Sequence, residues 1–226
     1  MTAARVSPAK TTKGEETRAR ILETALELFR DRGYDETTMR AIAAQAHVSL
    51  GNAYYYFTSK ETLIQAFYGR THEEHLAASA PMLATRHTLK ARLAGVMHAK
   101  LDTIEPYHRF AGVLFKTAAD PASPLHPFSA ESAQVREEST RLFGEVVDGA
   151  DARVPDDLRA ELPRLLWLYH MGIVLFWIHD NSPKRARSRK LVEMSVDLIA
   201  TLIAFAANPL MRPLRKAALK MIAETK

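Results

Sequence analysis

Apolar residues return at the helical period over the first third of the chain. Ile21, Leu22, Ala25, Leu28 and Phe29 fall on one stripe, which predicts an amphipathic helix. Gly33 follows its last turn, where a left-handed residue ends a helix, and Tyr34 supplies the accompanying apolar contact. Thr37 is placed to cap a short helix through Gln45, with Met39, Ile42 and Ala43 facing inward. Ala46, His47 and Val48 break the pattern, and Ser49 caps a third helix through Tyr56. Thr58 and Glu61 are spaced as a capping box before Leu63, Ile64 and Phe67, where a longer helix begins. Successive tyrosines cannot share one helix face, so Tyr56 and Phe57 are expected to be structural.

Beyond Pro81 the helical patterns are longer and more apolar, with breaks at Pro106, at Pro121, Pro124 and Pro127, at Pro155 and at Pro183. The segments LPRLLWLYHMGIVLFWI (162–178) and LVEMSVDLIATLIAFA (191–206) are apolar nearly all round. Such helices cover two surfaces, here their own core and a partner subunit. The basic stretch between them, Lys184 to Lys190, reads as a solvated turn. No strand-like alternation or internal repeat is present. The fold class is all-α, in four parts: a basic arm at 1–14, a three-helix unit at 15–65, a helical body at 66–206 and a basic tail at 207–226.

Composition narrows the chemistry. The 226 residues include no cysteine, which excludes disulfides, thiolate metal sites and cysteine nucleophiles. Lysine and arginine number 31 against 26 acidic residues, a net charge of +5, a mild lean toward a polyanionic partner. No apolar region follows the basic N-terminus as in a signal peptide, and the apolar run Leu165 to Ile178 has the length of a buried helix. A cytoplasmic protein with no membrane partner is expected. His72-Glu73-Glu74-His75 has its histidines three apart instead of the four of a zinc HExxH helix, and reads as an exposed face of the fourth helix. With no phosphate loop, nucleophile elbow or dinucleotide fingerprint, no catalytic residue, metal or cofactor is expected.

Two short helices across a tight turn form the layout of a helix-turn-helix DNA reader. The second helix of such a pair enters the major groove, so its first residues must be small. Ser49, Gly51, Asn52 and Ala53 are small. Asn52 can donate and accept at a base edge, and Leu50 can meet a thymine methyl. Tyr54, Tyr55 and Lys60 offer phosphate donors on the flanks, and the free N–H groups near Thr38 and Lys60 add anion affinity.

The stretch TTMRAIAAQAHVSLGNAYYYFTSKETL resembles the N-terminal domain of the Tet-repressor (TetR) family of bacterial transcription regulators, over about residues 15–65. The resemblance implies a homodimer whose recognition helices read an inverted repeat in double-stranded DNA, and a C-terminal domain that binds a small-molecule effector. It further implies a phosphate contact at Thr38, groove-facing positions at Leu50, Gly51, Asn52 and Tyr54, and backbone anchors at Tyr55 and Lys60. His47 stands where the family has glycine in the turn; histidine tolerates the left-handed region better than most residues. The two long apolar segments resemble the family's four-helix dimer interface.

Aromatic and methionine side chains are plentiful in the body. Met97, Phe110, Phe115, Phe128, Trp167, His170 and Trp177 are candidates to line an effector pocket. With few charges inside Leu165 to Ile178, the effector is expected to be hydrophobic or amphipathic. The chain thus reads as a ligand-responsive regulator, a repressor released from its operator by effector. The alternatives are an effector-independent architectural DNA binder, or a small helical enzyme or metal-binding protein reusing the fold.

Overall fold

A computed structural model describes residues 12–224. Among them there are eleven α-helices and no strand. They are α1 (Lys13–Arg32), α2 (Met39–Gln45), α3 (Leu50–Tyr56), α4 (Lys60–Thr85), α5 (Leu89–Ile104), α6 (His108–Ala118), α7 (Ala133–Asp148), α8 (Asp156–Arg159), α9 (Leu162–Ile178), α10 (Ala186–Ala206) and α11 (Arg212–Glu224). The chain divides into two compact units, Met1–Phe67 and Tyr68–Lys226.

In the first unit, Thr12 caps α1 in a reciprocal box with Glu15. The helix therefore begins inside the segment 1–14 read as an arm; residues 1–11 of that segment lie outside those described. α1 buries Ile21, Leu22, Ala25, Leu28 and Phe29. Gly33 ends it at φ 90° with its N–H bonded to Phe29 O, a backbone state that favours glycine. Its ψ of 160° differs from the left-handed helical cap expected. The rings of Phe29 and Tyr34 meet at 5.2 Å.

Two caps lie one residue from their expected places. Thr38, not Thr37, caps α2 by accepting from Ala41 N–H; Thr37 is buried and its hydroxyl donates to Gly33 O. Ser59, not Thr58, caps α4 by accepting from Thr62 N–H. Glu61 is drawn instead to the Tyr34 hydroxyl. With two hydroxyls in succession, the one facing the orphan N–H takes the cap.

In the second unit α5, α7, α9 and α10 surround one core that includes Leu93, Val96, Met97, Phe143, Trp167, Trp177 and Val196. The turn between α9 and α10 is held by Asp180, which accepts from Ser182 N–H, Ser188 N–H and the Ser188 hydroxyl. Burial alone would raise this carboxyl's pKa; the hydrogen bonds from Ser182 and Ser188 outweigh it and hold it well below the ordinary range. The basic link is partly folded inward: Arg189 pairs with Asp102 at 2.7 Å and Arg185 lies 4.0 Å from Glu105. Residues 207–226, read as a tail, contain α11, which is tied to α8 by Arg215 and Asp157 at 2.8 Å.

Candidate nucleic-acid interface

The turn between α2 and α3 is set by backbone hydrogen bonds. Ala46 N–H bonds Ile42 O and Val48 N–H bonds Ala43 O. Between them His47 takes φ 54°, the left-handed conformation that a tight turn requires there. Arg20 Nε donates to Ala46 O at 3.1 Å and so ties the end of α2 to α1. Ser49 caps α3 by accepting from Asn52 N–H at 3.1 Å.

Helix α3 divides cleanly between inside and outside. Ala53 and the following Phe57 are buried, Leu50 and Tyr56 are half-buried, and Ser49, Gly51, Asn52, Tyr54 and Tyr55 are exposed. A Cβ added at Gly51 would meet nothing within 4 Å, so packing does not demand glycine there. Tyr55 is 80% exposed and leans edge-on against Tyr56 at 5.1 Å. A short helix presenting small polar residues and two open phenols can follow a groove and reach base edges and phosphates at once.

Two basic positions differ from expectation. Lys60, assigned to the DNA backbone, turns inward: its Nζ donates to Tyr34 O at 2.6 Å and lies 4.2 Å from the centre of the Tyr34 ring. A carbonyl and a ring face 26 residues away in sequence take the charge that a phosphate was assigned. Arg40, not singled out from sequence, is exposed in the first turn of α2, with no ion pair among the described residues. Its signal was its place two residues after the cap Thr38, where the free N–H groups of α2 gather.

Residues 21–67 match the family described as bacterial regulatory proteins, tetR family, and residues 92–218, more than half of the chain, match the tetracyclin repressor-like C-terminal domain. The chain belongs to the TetR family. The HTH-type transcriptional regulator UidR of Escherichia coli K12 is 41% identical over 66 residues, covering 29% of this chain and 34% of UidR. The chain thus spans about a third of the length of that relative. The HTH-type transcriptional repressor KstR2 of Mycolicibacterium smegmatis is 28% identical over 155 residues, covering 64% of this chain and 71% of KstR2. A TetR-family structure from Syntrophomonas wolfei shares the fold at a TM-score of 0.67 and 16% identity, over 84% of this chain and 97% of that one.

In the TetR body, the seven expected pocket residues have different surroundings. Met97, Phe110 and Trp177 are core. Trp177 Nε1 donates to Glu105 at 3.2 Å, and the ring meets His108 edge-on at 4.7 Å. Phe115 lies at the surface, edge-on to His179 at 6.0 Å. Phe128 and Trp167 come together, edge-on at 5.3 Å. They border a cleft of about 400 Å³ with Arg136, Glu137, Thr140, Arg141 and Arg164. His170 is buried beneath the helices, stacked on His75 at 5.9 Å.

The pair His72 and His75 overturns the exposed-face reading. Both are buried, while Glu73 and Glu74 between them are exposed. Among the described residues no set of three potential ligands can hold a metal ion, and no single helix is long and apolar enough to cross a membrane.

Helices α9 and α10 each leave one apolar face bare. Leu168, Leu175 and Phe176 on α9, and Met194, Leu198, Leu202 and Phe205 on α10, are exposed. Gly172 lies on the same α9 stripe and is open to solvent.

Proposed function

We propose that this TetR-family chain is a ligand-responsive transcriptional repressor that acts as a homodimer on an inverted-repeat operator. One observation carries the DNA-reading half: an exposed Ser49–Tyr55 face on a helix whose Gly51 has no packing reason to be glycine. On this reading Asn52, Tyr54 and Leu50 face base edges, Thr38, Arg40 and Tyr55 hold phosphates, and Lys60 is structural. The naming of KstR2 as a transcriptional repressor supports the sign of regulation.

The homodimer rests on the bare α9 and α10 faces. Contiguous apolar surface of this kind marks a subunit contact. Cytoplasmic location, with the protein concentrated on the nucleoid, goes with operator binding. The effector is amphipathic and sits in the helical body, shifting the dimer between two spacings of its recognition helices.

Selection of bound sequences from random double-stranded DNA tests the proposal. Recovery of a palindrome with half-sites one helical turn or a multiple apart is the expected result. Sequence-independent binding would favour the architectural alternative, and no binding would remove the regulator reading.

A further inference from the structure

Helices α4, α5, α7 and α9 enclose polar side chains where a core is ordinarily apolar. His72, His75 and Ser79 recur at the helical period on the inner face of α4, all buried. His75 Nε2 lies 2.9 Å from Val96 O, so that nitrogen carries the proton and donates to the carbonyl. The His75 ring stacks on His170, whose other neighbour is Phe143 at 5.6 Å.

His170 is 5% exposed, and neither of its ring nitrogens has a hydrogen-bond partner among the described residues. The fully buried hydroxyl of Ser79 has none either. Lys100 follows Val96 by one turn on the same face of α5. It is half-buried and makes no ion pair or hydrogen bond among the described residues, although the Glu74 carboxylate lies near enough to act on its charge. Of the acids nearby, Glu138 of α7 lies 3.1 Å from His72 Nε2, and Ser139 of α7 approaches the other nitrogen of that ring. Glu73 and Glu74 are exposed.

The cluster therefore holds unmatched polar groups: the Lys100 ammonium and the Ser79 O–H can donate, and a neutral His170 can donate from one ring nitrogen and accept at the other. Native interiors seldom leave such groups unmatched, because each gives up its hydration without return. A complement for the Lys100 ammonium, the Ser79 O–H and the His170 N–H accepts hydrogen bonds and carries one negative charge. A dianion would leave net charge buried against a single ammonium.

We propose that Lys100, His170 and Ser79 form the head-group end of the effector site and take the carboxylate of an otherwise apolar molecule. This rests on the reading that the body binds an effector, and it specifies the effector's chemistry. Trp167, one turn before His170 on α9, walls the cleft that Arg136, Arg141 and Arg164 line against the single acid Glu137. That cationic excess draws anions toward this part of the body.

The titration behaviour agrees. Burial pushes the Lys100 ammonium down to about 8, and burial followed by repulsion from Lys100 drives His170 well below its ordinary value. The cationic groups oppose one another, and a bound carboxylate reverses that opposition.

The test uses the full chain and its thermal unfolding. Straight-chain carboxylates from hexanoate to hexadecanoate, and 2-naphthoate, are each compared with the amide and alcohol of the same skeleton. At a hundredfold excess over its dissociation constant, at least one carboxylate is expected to raise the midpoint by roughly 5–10 °C, and its amide and alcohol to raise it far less. Lys100→Met should erase the difference. His170→Phe should raise the midpoint of the unliganded protein and also lose the carboxylate's gain. Equal stabilisation by carboxylate and alcohol, or none by any carboxylate, overturns the proposal in the unsubstituted protein alone. Release from operator DNA is read separately: carboxylate binding that leaves DNA affinity unchanged keeps the head-group site and removes the effector reading.

Discussion

The Tyr34 hydroxyl donates a 2.6 Å hydrogen bond to the Glu61 carboxylate, fixing the end of α1 to the first turn of α4. Burial would raise the Glu61 pKa, but the hydrogen bonds from Tyr34 and Ser59 bring it below the ordinary value. Tyr34→Phe should therefore cost about 1.5–3 kcal/mol, as expected for a hydrogen bond to a charged group. Urea unfolding of Tyr34→Phe, Glu61→Gln and the double variant measures the coupling. Strictly additive losses would show that the two side chains act independently.

Lys60 and Arg40 should behave as opposites. Lys60→Ala removes the donor to Tyr34 O and the contact with its ring, so it should lower the thermal midpoint before any effect on DNA is considered. Arg40→Ala should leave the midpoint unchanged, weaken binding to all sequences, and reduce the log–log salt slope by about 1. A Lys60→Ala protein of normal stability with a shallower salt slope would return Lys60 to the phosphate backbone.

Asn52→Ala should reduce discrimination between operator and random DNA by roughly 1–3 kcal/mol. Its side chain is exposed, so unfolding should barely change. Competition binding against unrelated DNA reads this directly, and equal loss on both would move Asn52 to a backbone contact.

The buried histidines predict acid lability. Burial, then the Lys100 charge, holds His75 near 3, against 6.5 for a free imidazole; His170 is lowered in the same direction. Between those values the unfolded chain binds protons that the folded chain refuses. Stability is complete above about pH 6.5 and is lost as pH falls, by about 1.4 kcal/mol per pH unit for each such histidine. His170→Phe should remove one proton from that dependence. Urea midpoints that stay level from pH 7 to pH 5 would contradict the argument.

Leu198→Glu places a charge on the bare face of α10. If that face is the subunit contact, dimer affinity should fall on the order of a hundredfold, about 3 kcal/mol. Gly172→Trp should act in the same direction by steric bulk. Sedimentation or size-exclusion at low micromolar concentration reports either change, and dimers of undiminished affinity would place the contact elsewhere.

Sequence carries the DNA-reading unit well, because its signals are local: a stripe of five apolar residues, a glycine stop and the Ser49 cap all lie within one or two turns. It fails where a long-range partner decides. The Tyr34 carbonyl that takes Lys60 is 26 residues away, and no periodicity reports it. His72 and His75 flank two exposed glutamates, so local polarity pointed outward while α5, α7 and α9 closed over them. α11 was hidden by its basic composition, although Leu214 and Met221 recur at helical spacing. His47 shows the reverse case, where one residue's conformational tolerance was enough to place a turn.

Both tryptophans of the chain, Trp167 and Trp177, belong to α9. One lies against the edge of Phe128 and the other against His108, while the DNA-reading unit contains no tryptophan. Tryptophan emission is therefore a private optical channel of the helical body, silent about the recognition helix. Circular dichroism sees the helices of both units. Recorded together on one melting sample, the two signals separate unfolding of the body from unfolding of the whole, and transitions that fail to coincide would mean that the units melt as independent cooperative blocks.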